Sequence, residues 1–359
     1  MEIRFLQAEY GDAIIIKTMT KGEPFTIVVD GGPYGTSDEI ARIYQELGKI
    51  NLMILTHFDE DHIKGIIKYV ELFKGNRLPV ERFWCNCAQE VDLTSDGEIA
   101  NSRYENANTL AEYLREQKYI NGNFEWTEDI FNTIAPFVQN DLRIDVLSPS
   151  KDTLEKLKED YEEYVKQNQW KDNQDEGDDG EGGKEIALVN YNPDAKKSID
   201  ELAQKDTTRS VNLWNEASIA FLLQAEGKKL LMLGDADADV IADSLEKLIG
   251  KGKVIELDLV KLSHHGSKHN ISQRLMSLIR CNDYAISTDG GALNFCHPDR
   301  KTLAVILRGV NRDKSKPINF YFNYPIAEIE SRTGALLTEE EKKKEAENCN
   351  MLEKGVVML

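Results

Sequence analysis

Short apolar runs recur along the first sixty positions of the chain, with turn residues at Gly11-Asp12 and Gly31-Gly32-Pro33 between them. Their content of Ile, Val and Phe predicts β-strands. The predicted strands are 3–6, 13–17, 25–30 and 51–55. Apolar residues at helical spacing predict helices over 37–48 and through 66–73. Strands that alternate with helices favour helices packed on a sheet.

The middle of the chain has a different pattern. Residues 88–140 are predicted to be mostly helical, and a strand at 144–147 leads into a charged helix at 151–169. The segment 171–183 is acidic and glycine-rich, so it cannot bury apolar area and is predicted to be disordered.

The strand pattern resumes after residue 216. The predicted strands are 217–223, 229–233, 254–262, 284–287 and 319–324, and the predicted helices are 240–249, 275–279 and one that ends at 308. We expect a domain over 1–310 with insertions at about 88–143 and 150–213, followed by a C-terminal extension over 311–359.

Composition narrows the function classes. The 359 residues carry a net charge of −19, which argues against a surface that coats nucleic acid, because phosphate binding needs clustered Lys and Arg. It does not exclude a nuclease, since bound cations reverse the local field of a site. With five cysteines, no signal-peptide core and no apolar run of about 18 residues, we expect a cytoplasmic protein that does not span a membrane.

The densest group of candidate ligands follows the apolar run 52–55. His57, Asp59, Asp61 and His62 lie within six residues at the end of this predicted strand. Four residues of metal-binding type on one short loop can serve two adjacent cations. Further candidates follow two other predicted strands, namely Asp235 and the pair His264–His265.

Taken in order, these segments resemble the metallo-β-lactamase-fold hydrolases, whose motif H-x-H-x-D-H corresponds to residues 57–62. More narrowly, they resemble the branch that contains the nuclease domain of the bacterial competence DNA-uptake protein. The supporting segments are 9–16, 28–33, 230–236 and 264–267, with Ser287, Asn294, His297 and Pro298 after them. The resemblance covers roughly 1–85 and 210–310, and five motifs in matched order are far more specific than one.

The resemblance implies an α+β fold, a four-layer αββα sandwich with metals along one sheet edge. The expected ligands are His57 and Asp59 in a first site, Asp61, His62 and one histidine of the 264–265 pair in a second site, and Asp235 as a bridge. His265 is favoured as the ligand from that pair, with His264 as a neighbour or a phosphate contact. Asp30 is expected to orient the loop without binding metal.

Two positions depart from the family pattern. Asp59 stands where the family usually has a second histidine, and Ser148 stands where a further ligand of the first site is expected. The first site then has one ligand fewer, so we predict that the second site fills first. The cofactors predicted are two divalent ions, Zn²⁺ or Mn²⁺, with Mg²⁺ as a further option because the ligand set is rich in oxygen.

These ligands imply hydrolysis of a phosphodiester by a hydroxide activated between two metals. The expected catalytic residues are Asp61, His265 and His297, with His297 as the leaving-group acid. His269 is the alternative acid, and His297 has an alternative role in fixing the loop before Pro298.

The leading hypothesis is a metal-dependent phosphodiesterase, specifically a nuclease, whose substrate is nucleic acid. By family analogy it would act as an effector in a bacterial defence system, with a protein partner from the same multi-gene system. The alternatives are a hydrolase of small phosphate esters or cyclic nucleotides, and a partner-regulated module with a partly degenerate metal site. The sequence leaves the oligomeric state open.

Overall fold

The computed structural model describes residues 1–86, 102–171, 194, 196–204, 211–291 and 296–359. The segment predicted to be disordered lies outside these residues from position 172 onward. The start of the first insertion, 88–101, and Asn294 lie outside them as well.

One sheet contains seven strands within the described residues. They are β1 (Glu2–Phe5), β2 (Ile14–Thr20), β3 (Glu23–Val29), β4 (Ile50–Ile54), β5 (Val80–Trp84), β6 (Glu125–Thr127) and β17 (Val356–Met358). Their order is β17-β1-β2-β3-β4-β5-β6, antiparallel from β17 to β3 and parallel from β3 to β6. All of β4 is buried because both faces are covered, and its sequence is apolar except for Asn51, which accepts from the main-chain N–H of Thr26.

The other large sheet contains eight strands in the part of the chain that the structure describes. They are β7 (Phe137–Gln139), β8 (Leu142–Ser148), β9 (Ala220–Ala225), β10 (Lys228–Met232), β12 (Leu259–Lys261), β14 (Asp283–Ile286), β15 (Ile318–Phe322) and β16 (Cys349–Glu353). Their order is β16-β15-β14-β12-β10-β9-β8-β7. A small parallel pair joins β11 (Ile255–Glu256) to β13 (Ile279–Arg280).

The helices pack on the outer faces of the two sheets. They are α1 (Ser37–Glu46), α2 (Glu60–Glu71), α3 (Ser102–Ile120), α4 (Lys151–Lys171), α5 (Ile199–Gln204), α6 (Leu213–Glu216), α7 (Ala238–Ile249), α8 (Gln273–Leu278), α9 (Arg300–Leu307), α10 (Ile326–Thr333) and α11 (Glu339–Lys344). Of the helices described, none is long and apolar enough to cross a membrane.

Three apolar clusters separate the layers. The alternation in β2 shows the arrangement, because Ile14 and Ile16 face the space between the sheets while Ile15 faces the helices. Helices α1 to α4 share the cluster on the outer face of the first sheet, and α5 and α7 to α10 share the cluster on the second. This arrangement confirms the expected four-layer αββα sandwich.

Two parts of the chain differ from expectation. The helical prediction for 88–140 is wrong after residue 120. There β6 pairs with β5 at the end of the first sheet, and β7 pairs with β8 at the end of the second. Strands of three residues are too short to show an alternation of apolar and polar positions in the sequence. Their conformation is set by main-chain pairing with the neighbouring strand. Residues 311–359, expected to form an extension, supply β15 and β16 to the second sheet and β17 to the first, so they pack as part of the sandwich.

Candidate metal centre

The candidate ligands lie where strands from both sheets end. His57 follows β4, Asp235 follows β10, and His264 and His265 follow β12. Strands β10, β12 and β14 are parallel neighbours, so their carboxyl ends meet at one edge of the sheet. Residues far apart in sequence therefore converge on one cleft.

The first turn of α2 is held by hydrogen bonds from two glycine-containing turns, at residues 11–12 and 31–32. The main-chain N–H of Asp12 donates to the carbonyl of Asp61 (3.1 Å), and that of Gly31 donates to the carbonyl of His62 (2.6 Å). A Cβ atom on Gly11 would lie 1.9 Å from the Asp61 carbonyl oxygen, so only glycine allows this approach. These contacts set the direction of the Asp61 and His62 side chains.

The turn after β12 holds two successive residues in the left-handed region. His264 has φ 48° and ψ 53°, and His265 has φ 53° and ψ 22°. Such a conformation costs of order 1–3 kcal/mol for each residue that is not glycine, and it persists only where the surroundings enforce it. Here it points two neighbouring imidazoles at the same group of carboxylates.

One group of ligand atoms surrounds the space between Asp61, His62, His265 and Asp235, the second site of the sequence prediction. The Asp61 Oδ2 atom lies 3.5 Å from His62 Nε2 and 3.4 Å from His265 Nε2. The Asp235 Oδ1 atom lies 3.6 Å from His62 Nε2. Asp12 also approaches, and ligand atoms of Asp12, His62, Asp235 and His265 all lie within 4.8 Å of one another.

The other oxygen of Asp235 faces the first site. Its Oδ2 atom lies 3.9 Å from His57 Nε2 and 3.7 Å from His264 Nε2. The Asp59 Oδ2 atom is also 3.9 Å from His57 Nε2. Asp235 therefore lies between two groups of histidines, with one carboxylate oxygen directed to each.

All four imidazoles are held in the same way. The Nδ1 atom of each approaches an oxygen atom, which leaves Nε2 directed at the carboxylates. The pairs are His57 with Thr56 Oγ1 (3.0 Å), His62 with Asp30 Oδ2 (2.9 Å), His264 with Asn270 Oδ1 (3.3 Å) and His265 with the Ser287 carbonyl oxygen (2.7 Å). Asp30 thus lies where an orienting residue is predicted, and it also accepts from the main-chain N–H of Thr56.

These atoms fit divalent cations. Among the residues that the structure describes, the buried Nε2 atoms of His57, His62 and His265 and the Oδ1 atom of Asp235 have no hydrogen-bond partner. Around a tetrahedral cation with bonds of about 2.0–2.1 Å, ligand atoms lie about 3.3–3.4 Å apart. The spacings of 3.4–3.9 Å exceed the usual distance of about 2.7–3.2 Å in N–H···O hydrogen bonds and are close to the ligand spacing, so one cation in each site would satisfy these atoms.

The electrostatics of the cluster are dominated by its carboxylates. Burial would raise the pKa of Asp61, but His62 and His265 outweigh it and hold the pKa well below its usual range. Burial would lower the pKa of His62, but Asp61, Asp235 and Asp30 raise it well above about 6.5. The pKa of His265 is also raised, against burial, chiefly by Asp12, whereas burial lowers the pKa of His264 to about 4.

These shifts predict a pH-dependent affinity for metal. Because the pKa values of His62 and His265 are raised, these imidazoles hold their protons to higher pH than free histidine does, and a metal must displace the protons that are bound. A histidine whose pKa is raised by folding stabilises the metal-free fold below pH about 6.5, and this contribution is lost as pH rises through the folded pKa. Zn²⁺ should therefore bind more tightly as pH rises.

Isothermal titration of the protein with Zn²⁺ at pH 7, in buffers of different ionisation enthalpy, measures this effect. We expect the observed heat to depend on the buffer, with a slope that corresponds to proton release. The same heat in every buffer would show that the histidines are already neutral before the metal binds.

His297 lies beside the cluster and not within it. Its ring centroid is 5.2 Å from that of His264, and its Nδ1 atom is 3.3 Å from Asp299 Oδ2. Burial would raise the pKa of Asp299, but the neighbouring His297 and Lys268 lower it to about 2, so the carboxylate remains charged. For the alternative acid His269, the main-chain N–H donates to Ser267 Oγ.

Three residues near the site were not predicted from the sequence. Asp12 forms a buried ion pair with Lys261, and Arg103 of α3 binds both oxygens of Asp59 (2.6 and 3.1 Å). The signal for Lys261 is a lone lysine between the apolar residues Val260 and Leu262 of a predicted strand, because a buried cation needs a buried anion. Arg103 has no comparable signal, because its partner lies 44 residues away on another element.

Comparison with known proteins supports the fold. Residues 8–100 match the family model described as metallo-beta-lactamase superfamily, and these residues include the loop from His57 to His62. With the four-layer architecture, this match identifies the metallo-β-lactamase fold. No curated protein shows significant similarity to the chain.

Solved structures resemble this chain at low sequence identity. The metallo-beta-lactamase fold protein YhfI from Bacillus subtilis is 9% identical with a TM-score of 0.42, over 99% of this chain and 98% of that one. Zn²⁺-bound PqqB from Methylobacterium extorquens is 12% identical with a TM-score of 0.44, over the whole of both chains. A diphosphatase from the PhnP family is 12% identical with a TM-score of 0.37, over 97% of this chain and 84% of that one.

Proposed function

We propose that the protein is a metal-dependent hydrolase of phosphodiester bonds and that its substrate is nucleic acid. The observation that supports this most directly is the position of Asp235, whose two oxygens face two separate groups of histidines. A bridging carboxylate between two cation sites is suited to phosphoryl chemistry, in which both the attacking and the leaving oxygen must be stabilised. Zn²⁺ and Mn²⁺ are the ions that we propose, with Mg²⁺ as a further candidate.

Two cations bound here would polarise the phosphate and supply hydroxide near neutral pH. The chain itself positions these groups. Asp61 and His265 hold one side of the cluster, and their directions are fixed by the Gly11 turn and by the Ser287 carbonyl. His297 is the candidate proton donor to the leaving oxygen, because its ring lies beside that of His264 and its Nδ1 atom is 3.3 Å from the carboxylate of Asp299.

The nuclease assignment rests on the motifs shared with the competence DNA-uptake branch. The same resemblance supports a defence role in which a protein partner restrains activity. The net charge of −19 favours a second candidate, hydrolysis of small phosphate esters or cyclic nucleotides, because such substrates need no basic groove.

A substrate panel separates these functions. The protein is incubated with Mn²⁺, Mg²⁺ or Zn²⁺ against plasmid DNA, single-stranded DNA, RNA and bis-p-nitrophenyl phosphate. The variant Asp61→Ala/His62→Ala is assayed in parallel, and we expect its cleavage of every substrate to fall to background.

If the unchanged protein cleaves a polymer and the variant does not, the result supports the nuclease. If the small ester is the only substrate that is cleaved, the result supports the second candidate. If no substrate is cut with any metal, or if the variant cuts as well as the unchanged protein, the proposed function is wrong.

A further inference from the structure

The first site lacks a histidine that the family pattern would place at the end of β8. Ser148 occupies that position, and its Oγ atom donates to the main-chain carbonyl of Glu216 (3.3 Å). With His57, Asp59 and Asp235 alone, this site has three protein ligands. A fourth donor must come from elsewhere in the chain if the site is to match its neighbour.

His264 lies where such a donor is needed. Its Nε2 atom is 3.7 Å from Asp235 Oδ2, the same oxygen that His57 Nε2 approaches to 3.9 Å. His265, the next residue, points its Nε2 atom at Asp61 on the other side of Asp235. The two histidines therefore diverge, one toward each group of ligands.

The surroundings of His264 hold its ring in this orientation. Asn270 Oδ1 and Asn215 Nδ2 both lie 3.3 Å from its Nδ1 atom. Asn270 is itself fixed, because its side-chain amide donates to the main-chain carbonyl of Asp235 (2.9 Å). In the tautomer whose Nδ1–H donates to Asn270 Oδ1, the Nε2 lone pair is directed at Asp235.

The strained backbone supports the same conclusion. An adjacent pair of left-handed histidines is costly, and it persists only where the surroundings enforce it. The strain at both positions has a function if both rings are ligands.

We propose that His264, through Nε2, is a ligand of the first metal and replaces the histidine that is missing at Ser148. This inference rests on the proposed pair of metals. Each site then has two histidines, one aspartate of its own and a share of Asp235. Any remaining difference in affinity between the sites would come from Arg103, whose guanidinium competes with the first metal for the carboxylate of Asp59.

Metal counting tests the proposal without any assay of activity. The whole protein and its variants are loaded with excess Zn²⁺ or Co²⁺ and exchanged into metal-free buffer, and bound metal is measured by mass spectrometry. His264→Asn is the informative variant, because asparagine tolerates the left-handed backbone but has too short a side chain to reach Asp235. We expect two equivalents in the unchanged protein and one in His264→Asn, with the visible Co²⁺ spectrum losing the first-site contribution.

Two further variants complete the test. His269→Gln, a matched loss of a nearby imidazole, should keep two equivalents. His264→Gln provides a second substitution if His264→Asn does not give the circular dichroism spectrum of the unchanged protein. Two tightly held equivalents in a folded His264 variant would overturn the proposal, and so would a single equivalent in the unchanged protein.

The outcome is independent of the proposed activity. If His264→Asn keeps two metals while the unchanged protein cleaves phosphodiesters, His264 is not a ligand and the proposed function stands. If His264→Asn loses one metal while the unchanged protein cleaves no phosphodiester, the ligand assignment stands and the proposed function is wrong.

Discussion

Replacing Asp235 with asparagine should abolish tight binding of both proposed metals. Asp235 is the residue whose oxygens face both groups of ligands, with Oδ1 3.6 Å from His62 Nε2 and Oδ2 within 3.9 Å of His57 and His264. Asparagine has nearly the same shape but carries no charge and offers one oxygen. Because changing even an outer partner of a metal ligand costs about 10–100-fold in affinity, loss of this shared carboxylate should cost at least about 100-fold at each site.

The measurement is a competitive titration of Zn²⁺ against a chromophoric chelator, followed by metal counting. Asp237→Asn provides a matched control, since it is the same change two residues away. Asp237 caps α7 by accepting from the main-chain N–H groups of Asp239 and Val240, and asparagine caps helices equally well. The control should bind two metals with unchanged affinity. If Asp235→Asn retained one tight equivalent, Asp235 would serve a single site.

The candidate ligand cluster was accessible from the sequence because its members lie near the ends of apolar strands. His57, Asp235 and His265 follow within a few residues of runs that could be recognised as buried, and parallel strands bring such positions together. The order of the motifs supplied the topology that spacing alone cannot give. The four-layer arrangement was predictable for the same reason.

The different directions of the His264 and His265 rings could not be predicted from the sequence. The sequence favours one ligand from that pair. In the structure the two rings diverge, with His264 Nε2 near Asp235 Oδ2 and His265 Nε2 near Asp61 Oδ2. This divergence depends on two successive left-handed residues, and histidine has no sequence signature for that conformation.

The region around α3 shows a further limit. Its apolar residues predicted helix correctly for 102–120, but the contact of Arg103 with Asp59 depends on where the helix packs. The Arg103 guanidinium also lies 5.8 Å from the centre of the Trp214 ring, on a third element. Contacts among three separate segments follow from tertiary packing, which no local pattern encodes.

A lysine buried beneath the metal centre should be important for stability. Lys261 in β12 and Asp12 are each about 1% exposed, and they form an ion pair. The Asp12 Oδ1 atom is also 3.8 Å from His265 Nδ1, so the pair lies directly under the second site. Removing one partner of a buried pair leaves the other charge uncompensated and costs about 3–5 kcal/mol. We expect Lys261→Met to lower the free energy of unfolding by this amount.

Urea unfolding in the presence of a chelator measures this effect without the contribution of bound metal. The double variant Asp12→Asn/Lys261→Met removes both charges, and it should recover most of the lost stability because replacing a whole buried pair is often nearly neutral. The single variant Asp12→Asn completes the cycle and should also be destabilised, since it leaves the lysine unpaired. If the losses in the two single variants simply add in the double variant, Lys261 and Asp12 are not energetically coupled, and the lysine is needed for another contact, such as the carbonyl of Gly234 at 3.4 Å.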